Sequence, residues 1–86
     1  MRKKNIIGSR IRKARRDSHF TQMKLATQMQ LLGVRIDRAG IAKIETGIRP
    51  VSDIEITAIA KILQVSLLSL FEESGENLKK WSEEKS

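Results

Sequence analysis

Nine residues, Asp37-Arg38-Ala39-Gly40-Ile41-Ala42-Lys43-Ile44-Glu45, limit the possible folds more than any other stretch of the chain. Ile41 and Ile44 recur at helical spacing. Asp37 is placed to accept from the free backbone N–H groups of a first helical turn, and Gly47 is placed to end the helix two residues after Glu45. Arg38, Ala39, Ala42 and Lys43 are left on the outside. So short a helix is marginal in water by itself. The rest of the chain has to hold it, and its outer residues are then free to meet something else.

Four further helices are expected to supply the mount. Ile7, Ile11, Ala14 and Ser18 form one stripe, with Arg10, Arg12, Lys13 and Arg16 facing elsewhere, which predicts an amphipathic helix from about Ile6 to Ser18. Met1 to Asn5 is expected to be a loose basic arm. His19-Phe20 reads as a turn, and Thr21 as the N-cap of a helix with Leu25, Ala26 and Met29 inward. Gly33 is the natural stop of that helix, and β-branched Val34 and Ile36 suggest an extended link into Asp37. Ile48-Arg49-Pro50 must leave the helical region, because proline disfavours it for the residue before. Ser52 and Glu55 match a capping box opening a helix to about Leu63, with Ile56, Ile59, Ala60 and Leu63 inward. Ser66 caps a last helix, Leu67 to about Phe71, in which Leu67, Leu68, Leu70 and Phe71 are too apolar for a solvated segment. From Glu72 the chain turns polar, with Leu78 and Trp81 isolated, and residues 72–86 read as a tail or weak sixth helix. The expectation is an all-α bundle of five helices without strands.

The chain has 86 residues, enough for one domain burying roughly 60–65% of its unfolded surface. Its only aromatic residues are Phe20, Phe71 and Trp81, so the core must be aliphatic side chains packed helix on helix. With no cysteine there is neither a disulfide framework nor a thiolate metal site, which fits a reducing cytoplasm. No apolar run approaches the ~18 residues of a membrane span, and the basic start Met1-Arg2-Lys3-Lys4 is followed by no apolar export region. His19, the sole histidine, has no acid cluster near it and reads as a turn residue. No nucleophile–base–acid grouping or Gly-rich phosphate loop is present, so neither an enzyme nor a cofactor or metal is expected.

Charge is more informative. Residues 1–49 hold thirteen Lys and Arg against three Asp and Glu, a net of +10, whereas residues 50–86 hold four against seven, a net of −3. A basic half of this kind points to a polyanion, nucleic acid before a membrane surface or the ribosome. The competing reading is solvated Lys and Arg faces with no partner; for Arg2-Lys3-Lys4 a solubilising arm and a DNA contact both stay open.

Two helices joined by a turn containing glycine, the second capped and basic, is helix-turn-helix geometry. A major groove about 12 Å wide admits one helix, whose first two turns reach base edges. Ala39, Gly40 and Ala42 would let the backbone approach, leaving Arg38 and Lys43 as the long donors. Arg38 suits a bidentate pair to guanine, and Lys43 a base or a phosphate. Gln22, at the start of the preceding helix, sits where its amide can meet a phosphate. Gly40 could equally be a weak spot in the helix.

Phe20-Thr21-Gln22, Leu25-Ala26, Ile41-Ala42-Lys43-Ile44-Glu45-Thr46-Gly47, Val65-Ser66-Leu67 and Leu70-Phe71 together resemble the phage-repressor and Cro-like helix-turn-helix family, also called the xenobiotic-response-element family. The resemblance runs from about Ile6 to Phe71. It implies a five-helix lambda-repressor-like bundle and sequence-specific binding of double-stranded DNA. It also implies a homodimer on a near-palindromic site and transcriptional regulation of a repressor-like kind. By the same resemblance Arg38, Ala39, Ala42 and Lys43 take base-facing positions, Gln22, Thr46 and Arg49 backbone-contacting ones, and Arg15 and Glu45 pair to tie the first helix to the third.

The sequence departs from the family at two places. His19 stands where members often carry a glycine with positive φ. About five extra residues, around Gln30 to Val34, separate the second and third helices, either as one more helical turn, which is favoured, or as a loop; they could add a DNA backbone contact through Arg35. The alternative function is a protein-interaction module of the antitoxin type, meeting a partner protein through the last helix and the 72–86 segment, with DNA binding secondary.

Overall fold

Each helix begins at a side chain that can take up orphan backbone donors. The computed structural model describes residues 3–71 and contains α1 (Gly8–Asp17), α2 (Gln22–Leu31), α3 (Arg38–Thr46), α4 (Asp53–Leu63) and α5 (Leu67–Phe71), with no strand among the described residues. Thr21 accepts from the Lys24 N–H at 2.9 Å, and Asp37 from the Gly40 N–H at 2.8 Å. Ser52 and Glu55 form a full capping box, and Ser66 accepts from the Ser69 N–H. For α1 that side chain lies further back, at Asn5. The helix begins two residues later than its apolar stripe suggests, because Asn5 Oδ1 accepts from the backbone N–H groups of Ile7 and Gly8 at 3.1 and 2.7 Å.

The first four helices end alike. Phe20 bonds back to Arg15, Val34 to Met29, Ile48 to Lys43 and Val65 to Ala60, each through a backbone N–H, while the residue before bonds to the carbonyl three residues back. This double closure places His19, Gly33, Gly47 and Gln64 at φ between 57° and 84°. His19 therefore occupies a left-handed position that glycine would fill with less strain.

The core is aliphatic. Ile7, Ile11, Leu25, Met29, Ile41, Ile44, Ile59 and Leu70 are almost wholly buried, with Ala26, Ala58, Ala60, Leu63 and Ile36 beside them. Burial of each Ile or Leu side chain contributes about 1.5–3 kcal/mol. α3 packs against both α1 and α2, α4 against α2, and α5 against α1 and α4. At the α1–α3 crossing the contact is backbone on backbone. A Cβ on Gly8 would collide with the Ile44 carbonyl and lie 2.9 Å from that of Glu45.

Three expectations need correction. Lys4 and Asn5 do not hang loose: the Lys4 N–H donates to the Gly47 carbonyl at 2.8 Å, and Asn5 Nδ2 donates to the carbonyls of Ile44 and Arg49. In α5 only Leu70 enters the core, while Leu67 and Leu68 are exposed and Phe71 lies at the margin. The extra residues between α2 and α3 are divided. Gln30 and Leu31 stay helical, and Val34 to Asp37 form a link without regular structure, extended at Asp37 and pinned by Gln30 Nε2 on the Ile36 carbonyl at 2.8 Å. The expected tail, with Gly75, Leu78 and Trp81, lies outside the described residues, as do Met1 and Arg2.

Candidate nucleic-acid interface

α3 is held along its length by polar as well as apolar contacts. Glu45, in its last turn, would be unfavourable beside the negative end of the helix dipole without a cation. Arg15 of α1 supplies one, donating from Nε to Oε2 at 2.6 Å and from Nη2 to Oε1 at 3.1 Å. Gln22 of α2 adds a third donor to the same carboxylate at 3.1 Å, and Arg15 Nη1 reaches the Phe20 carbonyl at 2.7 Å. One buried carboxylate thus joins α1, the following turn, α2 and α3. The Arg15 and Glu45 side chains are only 9% and 2% exposed. Such a pair fixes an angle between helices more firmly than apolar packing, because its geometry tolerates little displacement.

The outer edge of α3 carries Arg38, Ala39, Lys43 and Thr46, all exposed, with Ala42 half-buried between them. Neither Arg38 nor Lys43 has an acidic partner among the described residues. Between them the alanines add little bulk, so a flat surface could come close to the helix while the two long cations reach past it. Gly40 does not belong to this edge. A Cβ there would sit 2.7 Å from Cγ1 of Ile36, so its small size admits the buried link residue and not an outside surface. Arg35 is exposed on the link, between half-buried Val34 and buried Ile36. With Gln30, Asp37, Gly40 and Arg49 it borders a shallow cleft beside the start of α3.

Three of the residues assigned to the DNA backbone, Gln22, Thr46 and Arg49, already have partners inside the protein. Gln22 directs one amide N–H at Glu45, leaving its second donor. Thr46 turns its hydroxyl onto the carbonyls of Ala42 and Lys43 in its own helix. Arg49 grips Glu55 with both ends of its guanidinium, at 3.0 and 2.7 Å, and also donates to the Pro50 carbonyl. The hydrogen bond from Arg49 leads the influences that hold the Glu55 carboxyl below its ordinary range, with the Ser52 N–H assisting against the cost of burial; the same bond raises the Arg49 pKa. Neither Asn5 as a clamp nor the Arg49–Glu55 pair is apparent in the sequence pattern. For Asn5 the signal was a preferred capping residue directly ahead of an apolar stripe. For Arg49 there was none, since Glu55 was already accounted for by the capping box.

A family model described as Helix-turn-helix matches residues 11–70. The chain belongs to this helix-turn-helix family. Comparison with curated proteins and with solved structures gives no significant match. The matched span holds α2, α3 and α4 whole, and the family points to DNA binding. Lys3, Lys4 and Asn5 lie ahead of the span. Among the described residues of this helix-turn-helix domain no helix is long and apolar enough to cross a membrane.

Proposed function

We propose that the chain is a sequence-specific double-stranded DNA-binding protein that regulates transcription in a repressor-like manner, with α3 lying in the major groove. The observation that carries this reading is the outer edge of α3, where Arg38 and Lys43, without an acidic partner among the described residues, flank small Ala39 and Ala42 on a helix fixed from behind by Arg15, Glu45 and Gln22. At 1.5 Å per residue α3 is about 13 Å long, close to the width of the groove. In the complex Arg38 reads a guanine edge and Lys43 a base or phosphate. Ala39 and Ala42 contact bases or thymine methyl groups, and Arg35 reaches the backbone beside the link. Gln22 can offer a phosphate its second amide proton without leaving Glu45. Thr46 and Arg49 reach a phosphate only by giving up their present partners, which makes them the weaker contacts.

Exposed Leu67 and Leu68 on α5 favour a protein contact on that side, which we assign to a homodimer on DNA with half-sites about 34 Å apart. The same surface would serve the alternative, an antitoxin-type partner protein. Selection of duplexes from a random pool at two salt concentrations tests the main reading. The expected result is a defined site, at which Arg38→Ala loses about 1–3 kcal/mol of discrimination at one base pair. Equal loss on selected and random duplexes would count against base reading by α3. No enriched sequence, with a protein complex lost on deleting residues 75–86, would favour the partner module.

A further inference from the structure

The segment ahead of α1 is fastened to the far end of α3. Lys4 donates its backbone N–H to the Gly47 carbonyl. Asn5 ties the same end twice more through Nδ2, to Ile44 and Arg49, while its Oδ1 caps α1. Lys3 lays its aliphatic stem over Gly47, with Cγ 2.8 Å from where a Cβ on Gly47 would be. Both lysines are exposed, and neither has an acidic partner among the described residues. Lys43 stands one turn before Gly47 on the same flank of α3.

From this placement we infer that Lys3 and Lys4 form a preorganised phosphate clamp at the C-terminal end of α3, with Asn5 as its positioning residue. The inference rests on the reading of α3 as a groove-binding helix. A helix about as long as the groove is wide brings its C-terminus to the groove wall, where the phosphates stand. That end of a helix carries partial negative charge and would by itself repel them. The Lys4 N–H and Asn5 Nδ2 occupy the carbonyls of Gly47, Ile44 and Arg49 at this end, and the clamp sets the positive charges of Lys3 and Lys4 against the remaining negative end of the helix. Because folding already orders the segment, DNA binding need not bear that entropy.

The test uses the full chain with two probes, a duplex selected from the random pool and a random-sequence duplex of equal length. Binding is measured against salt for the wild type, Lys3→Ala/Lys4→Ala, Lys3→Arg/Lys4→Arg, Asn5→Ser and Arg38→Ala. Each phosphate contact removed should flatten the slope of log affinity against log salt by about 0.9, so the double alanine variant should lose up to about 1.8 on both probes. The double arginine variant should keep the slope. Asn5→Ser keeps both charges and a capping oxygen but loses the Nδ2 tether, and should weaken binding to both probes several-fold. An unchanged slope in the double alanine variant, while Arg38→Ala still loses discrimination, overturns the clamp and leaves the groove reading standing. A lowered melting temperature with an unchanged slope overturns it as well, since the lysines would then only offset the helix dipole. If the wild type binds neither probe, the groove reading and the clamp fall together.

Discussion

Replacing Glu45 with alanine removes the acceptor at which three helices meet. The Arg15 guanidinium, 9% exposed, would keep only the Phe20 carbonyl, and the Gln22 amide would lose its partner. Breaking a buried ion pair from one side costs about 3–5 kcal/mol, because the surviving charge is left desolvated. A domain of 86 residues has roughly 4–13 kcal/mol in total, so the change consumes a large part of it. With about 4–8 °C per kcal/mol for this size, thermal unfolding should show a melting temperature lower by roughly 12 °C or more. The cause can be separated from simple loss of packing by a double-mutant cycle with Arg15→Met. In the double variant the stranded guanidinium is gone, so much of the loss should return, with a coupling energy of about 1.5 kcal/mol or more. A cost below about 1 kcal/mol for Glu45→Ala, or losses that add within about 0.5 kcal/mol, would refute the view that this carboxylate orients α3.

The remaining predictions concern stability at other joints. Glu55 has a folded pKa below its unfolded one, so its contribution is complete above the ordinary carboxylate range near 4.3 and is lost as pH falls through the depressed value. Urea titrations should therefore show Glu55→Gln less stable by about 1–2 kcal/mol at pH 7, and the gap should close under acid; a gap independent of pH would contradict the Arg49 assignment. His19→Gly relieves a left-handed φ of 59° and should raise stability by about 0.5–1 kcal/mol, a few degrees in a thermal melt.

What the sequence reveals of the fold is what local physics decides. Thr21, Asp37, Ser52 and Ser66 cap helices because each side-chain oxygen bonds a backbone N–H three residues on, a relation visible in a few letters. The glycine stops at 33 and 47 are legible for the same reason. Contacts between distant residues are not. Nothing around Gly8 announces that α1 meets α3 there backbone to backbone, or that Asn5 reaches Ile44 and Arg49 some forty residues on. Leu67 and Leu68 mislead in the opposite direction. Apolar letters in a short helix are expected in the core, yet five residues can turn only one face inward, and Leu70 takes it.

The interface divides along the same line. A long donor can be recognised by type, but whether it is free for DNA depends on which acceptors the fold brings near it. Arg49, Gln22 and Thr46 each find one inside the protein, whereas Arg38, Lys43 and Arg35 find none among the described residues. The acids explain the difference. Asp17 is taken by Lys13, Glu45 by Arg15 and Glu55 by Arg49, while Asp37 and Asp53 accept backbone N–H groups at the starts of α3 and α4. Every carboxylate of the described residues is therefore matched to a cation or a helix N-terminus, and none remains close-paired to the cations on the outer edge of α3. The exposed cations of α3, Arg38 and Lys43, therefore have no ion pair among the described residues to give up on meeting a polyanion.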